Sequence, residues 1–286
     1  STGEFFTGAC LAFMMTPSLT HGAAHMFQTF ASDELKNLYV EKMYTGQWAG
    51  TMCLTEPQAG SAVGDVKTLA VKEGDVYKIT GTKIFISSGD HDLTENIIHP
   101  VLARTPDAPP GIKGISLFIV PKVRVNPDGT LGESNDVRCG NIEEKMGIHG
   151  SSTCTLNFGD EGNCIGYLVG EENKGIVYMF HMMNGARINV GLQGSALGAA
   201  AYKHALQYAK ERIQGVDVRS MKDPNAPRVP IIDHPDVRRM LLFGKSVTEA
   251  TRALLLKTAY YADLAEVTQD DAEREKAAGY VELFTP

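Results

Sequence analysis

Three regimes of hydrophobic patterning follow one another along the chain. Up to about residue 46 the spacing is helical. Phe5, Phe6, Cys10, Leu11, Phe13 and Met14 share one face, Thr16-Pro17 predicts a break, and Asp33 to Tyr44 predicts a further amphipathic helix. From about 48 to 160 the pattern shortens to strand period. Val71 to Ile79 alternates around Gly74 and reads as a hairpin, Lys83 to Ile86 is an apolar strand ending in Ser87-Ser88-Gly89, and Ile115 to Val120 and Thr153 to Phe158 are further short strands. Pro- or Gly-rich loops are expected at Thr105 to Gly114 and Asn126 to Gly140. Strands at this spacing argue for a compact antiparallel barrel or sandwich. From Asn173 helical periodicity returns, over Ile176 to Ile213 and again over Asp236 to Val267, with a polar excursion at Val216 to Pro230 between them and a last helix beginning at Ala272.

The expected class is therefore α+β, with a central β domain at 48–165 flanked by partial helical domains at 1–47 and 166–286. Four glycines, at 185, 191, 194 and 198, sit inside the first long helical pattern. Each costs about 1 kcal/mol against alanine in a helix interior, so their number suggests close approach by another helix or a ligand.

Composition narrows the function classes. The chain has 286 residues, 43% hydrophobic and 21% charged, as in an ordinary globular protein. A formal charge of −7 argues against non-specific nucleic-acid binding. No apolar run reaches membrane-spanning length, and the start lacks a basic n-region, so a cytoplasmic protein is expected. Five scattered cysteines with no CxxC pair predict reduced thiols rather than a zinc site or a disulfide framework. His21 and His25 have metal-like i,i+4 spacing but lack an intervening general-base Glu, and read as ordinary helix residues.

The chemistry concentrates in the segment from Met52 to Ser61. Met52-Cys53-Leu54 is a strand-like start, and Thr55, Glu56, Gln58, Gly60 and Ser61 follow in a loop punctuated by Pro57. Such a loop can turn hydroxyls and amide N–H groups toward a ligand. With Lys83-Ile84-Phe85-Ile86-Ser87-Ser88-Gly89 and then Lys145-Met146-Gly147-Ile148-His149-Gly150-Ser151-Ser152 in this order, the chain resembles the acyl-CoA dehydrogenase family. The run from Val229 to Leu242 is similar to a longer bacterial branch that includes 3-(methylthio)propanoyl-CoA dehydrogenases.

The resemblance implies an FAD site built from Met52, Cys53, Leu54, Thr55, Ser61, Phe85, Ile86, Ser87, Arg212 and Gln214. Thr55 would bond the flavin ring edge and Ser61 would lie by the pyrophosphate and the CoA. Phe85 would stand where the family often has Trp over one flavin face, and Ser87 would bond near the flavin N5. An oxidised flavin needs donors at its pyrimidine edge, because negative charge develops there on reduction. Asn184 and Arg187 would line the acyl-CoA channel with Ser61. Read as the start of a helix, Gly185-Ala186-Arg187 puts a cation in a first turn, against the dipole, which favours a functional role. Arg212 would reach the FAD pyrophosphate of a neighbouring subunit, although the usual Glu-Arg-x-x-Phe-Gly ending is altered by the absent Phe and the early Gly215.

Asp217, Asp223, Glu143, Glu144 and Glu249 match no catalytic motif, and no Tyr-Glu-Gly-Thr-like segment carries the family's usual base. The expectation is a fragment of an FAD-dependent acyl-CoA dehydrogenase without its catalytic Glu. The parent would oxidise an acyl-CoA to the trans-2-enoyl-CoA, pass electrons to an electron-transfer flavoprotein and form a homo-oligomer. An acyl-CoA oxidase or related flavoenzyme, or a catalytically silent self-associating module, are the other readings.

Overall fold

The apolar run at 115–120 becomes a strand buried on both faces. In the computed structural model, which describes residues 2–285, Leu117 and Ile119 pack into one core cluster and Phe118 and Val120 into another. A strand covered on both sides shows no polar alternation, which is why this run reads as continuous. Two compact units result: residues 12–186, and the residues up to 11 together with those from 187 on.

The first unit holds ten strands: β1 (Trp48–Gly50), β2 (Leu69–Glu73), β3 (Val76–Ser87), β4 (Asn96–Ala103), β5 (Ser116–Pro121), β6 (Val123–Val125), β7 (Leu131–Ser134), β8 (Val137–Ile142), β9 (Thr153–Phe158) and β10 (Ile165–Leu168). Eight of them form one sheet in the order β1-β4-β5-β10-β3-β9-β8, with β2 beside β3; only the β1–β4 pair within it is parallel. Strand β10 pairs with β3 through Ile165 and Gly166, then with β5 through Tyr167 and Leu168. The sheet therefore folds over at β10 into facing layers and does not close into a barrel. Tyr77, Ile79, Ile86, Val101, Phe118, Leu156 and Phe158 fill the space inside.

Three sequence expectations change. Helix α2 (Leu11–Phe30), after the short α1 (Thr2–Ala9), runs through Pro17 unbroken. Pro17 removes one helix hydrogen bond, and burial of Ala23, Ala24, Met26 and Phe27 on that helix offsets the loss. The loop expected at 126–140 contains β7 and the start of β8. The hairpin expected at 71–79 forms between β2 and β3 across the two-residue turn Gly74-Asp75, with Gly74 at φ +62°, but its second strand does not end there: it continues through the strand expected at 83–87 as one twelve-residue strand, β3. Helix α3 (Asp33–Tyr44) begins where expected, with the Ser32 hydroxyl accepting from Leu35 N–H.

Helix α4 (Gly175–Glu211) runs on into the second unit, which also holds β11 (Ile213–Val216), β12 (Arg228–Pro230), α5 (Pro235–Val267) and α6 (Asp271–Phe284). Of the four α4 glycines, only Gly191 is closely approached: a Cβ there would lie 3.0 Å from Leu255 of α5, while Gly185, Gly194 and Gly198 face open space among the described residues. Approach by another helix is met at Gly191. Rings of Tyr261, Tyr280 and Phe284 stack between α5 and α6.

Strand β3 changes partners near Gly81, from β2 on one side of that position to β9 on the other. A Cβ at Gly81 would lie 2.5 Å from Thr68 Oγ1 and 2.9 Å from Thr68 Cα. Gly81→Ala is expected to destabilise the protein by about 2 kcal/mol through overpacking against backbone, measurable as a lowered urea midpoint.

Candidate active site

The three motifs meet around the second half of β3. Ile84 N–H donates to Thr55 C=O at 2.9 Å, and Lys83 Nζ donates to Leu54 C=O at 3.1 Å, so the Thr55 loop lies along the strand. At the strand's end Ser88 N–H donates to Ser152 C=O, and the Ser88 hydroxyl lies 2.7 Å from Thr16 Oγ1 and 3.4 Å from Ser151 Oγ. The loop from Lys145 to Ser152 is itself gathered by Lys145 Nζ, which donates to Ile148 C=O, Ser151 C=O and Thr153 Oγ1.

A buried ion pair fixes the Thr55 loop. Glu56 and Lys83 are 3% and 0% exposed, with Nζ 2.7 Å from Oε1. Glu56 also accepts from Thr68 N–H, Thr68 Oγ1, Lys67 N–H and Gln58 Nε2. Burial opposes its ionisation, but the Lys83 charge and these donors outweigh it and bring the carboxyl down to about 2. Burial pushes the Lys83 ammonium the other way, below its ordinary value, and the Glu56 carboxylate opposes that shift.

A bulge then redirects the strand. Tyr77, Ile79 and Lys83 point inward on the same two-residue phase, with Gly81 between the last two, and that phase would bury Phe85 next. The β3–β9 register slips between Lys83 and Ile86, and Phe85 adopts φ +59°. The phase flips: Ile86 is 2% exposed and Phe85 is 59% exposed. A bulky residue in the left-handed region costs on the order of 1–3 kcal/mol, and such strain concentrates at functional positions.

The other expected site residues fall in several places. Thr55 and Ser87 are half-buried and Ser61 is exposed. None of their hydroxyls, nor the Thr55 N–H, has a hydrogen-bond partner among the described residues. Met52 and Leu54 pack partly against the helix-side core. Cys53 faces inward beside Thr51 and His99: its N–H donates to Pro100 C=O, its C=O accepts from Leu102 N–H, and burial pushes its thiol up to about 12. Both Cys53 and Ile86 thus direct their side chains into the core, so any contact they make with a ligand excludes those side chains. Asn184 and Arg187 lie in the interior of α4, three residues apart and so on one face. Arg187 is therefore not in a first turn, and the dipole argument made for it does not apply. Arg212 and Gln214 are exposed in the second unit, where Arg212 donates to Gln214 Oε1 at 3.3 Å.

The chain belongs to the acyl-CoA dehydrogenase family. Residues 51–160 match the acyl-CoA dehydrogenase middle domain. The chain is 51% identical to the butyryl-CoA dehydrogenase of Syntrophomonas wolfei, over 95% of this chain and 45% of that protein. It is 47% identical to the 3-methylmercaptopropionyl-CoA dehydrogenase of Ruegeria pomeroyi, over 99% of this chain and 47% of that protein. The solved butyryl-CoA dehydrogenase of Megasphaera elsdenii superposes with a TM-score of 0.71 at 25% identity, covering 99% of this chain and 66% of that one. The chain spans about half the length of these curated relatives.

Sequence reasoning within this acyl-CoA dehydrogenase middle domain missed Glu56 and Lys83. The signal was present: Lys83 sits on the inward phase of β3, and a buried lysine requires a partner. Removing one member of the pair, as in Lys83→Met, is expected to cost about 3–5 kcal/mol of unfolding free energy. Because folding lowers the Glu56 pKa from its unfolded value near 4.3, its contribution is present above that value and is lost as pH falls toward 2. Urea titrations should therefore show the stability gap between wild type and Glu56→Gln closing between about pH 5 and pH 2.

Proposed function

We propose that the protein to which this chain belongs is an FAD-dependent acyl-CoA dehydrogenase that converts an acyl-CoA thioester to its trans-2-enoyl-CoA. One observation carries the reading. Thr55 and Ser87 present unpartnered hydroxyls from two segments hydrogen-bonded to each other, and the strained Phe85 holds an exposed ring between them in the chain. Those residues fit a flat, polar-edged ring system. When bound, FAD supplies the acceptor for the hydride that leaves the substrate's β-carbon.

The chain's own residues prepare that event. The Thr55 N–H and hydroxyl donate to the pyrimidine edge, where negative charge accumulates, and their fixed backbone means little reorganisation as it does. Phe85 covers one face and keeps water from it, and the Ser87 hydroxyl donates near the flavin N5. Ser61 serves the pyrophosphate and CoA, Asn184 and Arg187 the acyl-CoA channel, and Arg212 and Gln214 the FAD of a second copy in a homo-oligomer. Met52 and Leu54 contribute flank contacts. Glu56, held at about 2 by Lys83, is too weak a base to remove an α-proton. We assign this chain no base, and electrons leave to an electron-transfer flavoprotein.

The test is spectroscopic. Full-length protein should bind FAD, and anaerobic butyryl-CoA should bleach the flavin's visible band. Thr55→Val should slow that bleaching by about a hundredfold, since one donor to a developing anion is removed. Protein that neither retains nor quenches added FAD would defeat the reading.

A further inference from the structure

Neither Glu56 nor Lys83 faces the ligand side, yet their bonds bracket the two residues that do. Lys83 Nζ takes the Leu54 carbonyl and the Glu56 carboxylate, one on each side of Thr55, while the adjoining Ile84 N–H takes the Thr55 carbonyl. Residues 54 and 56 are thus tied to Lys83, and residue 55 to Ile84. Phe85 follows at once, beyond the register slip that turns it outward. Lys83 is 0% exposed, so no water competes for its two partners, and the strand cannot shift along the loop without breaking them.

We propose that Glu56 and Lys83 are positioning residues for the flavin site, fixing the Thr55 donors and the Phe85 ring in one relation through a buried ammonium. The inference rests on the flavin reading above. It assigns the pair a role beyond stability: Lys83 sets where the loop's donors stand relative to the ring that covers the flavin. A displacement near an ångström suffices to spoil such geometry.

Thr68 supplies the control. It donates to Glu56 from outside the strut, through N–H and Oγ1, and touches neither Leu54 nor Thr55 by any bond described. Thr68→Val loosens Glu56 and lowers stability while leaving Lys83 on Leu54. Lys83→Gln keeps a polar group but removes the charge and shortens the reach. Both variants of the full-length protein are compared at a temperature where near-ultraviolet circular dichroism shows them folded. The readouts are FAD affinity by fluorescence quenching and the midpoint potential of the bound flavin.

Lys83→Gln is expected to weaken FAD binding about tenfold and to shift the potential, while Thr68→Val stays within about twofold of wild type with its potential unchanged. Equal losses in both variants, or none in Lys83→Gln, would overturn the inference and leave the flavin reading standing. Wild-type protein that binds no FAD would overturn both. Should Lys83→Gln not fold, Glu56→Asp takes its place, since it keeps both charges and draws the ammonium back by one methylene; the same outcomes decide.

Discussion

A lysine ammonium and a glutamate carboxylate buried together between a loop and a strand are the constraint on which the site's geometry depends. Taking both ions from water costs several kcal/mol each, and attraction between them offsets this only when the remaining lone pairs are filled. Glu56 meets that condition with four donors besides Lys83, two of them backbone N–H groups. The arrangement contributes less to net stability than an apolar pair of similar volume can. What it adds is direction. An apolar contact tolerates sliding, whereas an ammonium bonded at 2.7 Å and 3.1 Å to two acceptors two residues of loop apart does not.

The pair also explains where strain can be held. Phe85 on β3, at φ +59°, and Ser88 just past its end, at φ +51°, lie three residues apart, and neither conformation would persist unless its surroundings fixed it. On one side Lys83 and Ile84 are bonded to the loop. On the other, Ser88 is buried and tied to Thr16, Ser151 and Ser152. The bulge sits between two clamps, and the energy that holds Phe85 outward comes from burial and bonds at its neighbours.

Much of this was legible in the sequence. The β2–β3 hairpin announced itself by alternation, and β5 by its lack of it. The motif order gave the family. What escaped did so for physical reasons. Pro17 stays helical because packing elsewhere on α2 outweighs one lost bond, and local propensity contains no record of that packing. Strand β3 looked like two elements because Gly81 and the bulge interrupt its period, although each interruption marks a change of partner or of facing. Arg187 looked like the start of a helix because Gly185 resembled a boundary, yet α4 passes through it. Cys53 and Ile86 carry motif positions whose side chains belong to the core, a distinction that a motif alone does not make.

That last point divides the labour within the Met52–Ser61 segment. Cys53 spends its N–H, its carbonyl and its thiol on the sheet and its interior, so it acts as an anchor. Thr55 spends only its carbonyl, and its N–H and hydroxyl have no partner among the described residues. Glu56 returns inward to Lys83, and Ser61 ends exposed. Anchored residues on both sides of Thr55 make its two donors rigid, and rigid donors stabilise a developing charge without reorganising when it appears. On the proposed flavin reading the motif's composition follows from that requirement: an inward thiol and an inward carboxylate anchor the loop on both sides of one threonine whose N–H and hydroxyl stay unspent.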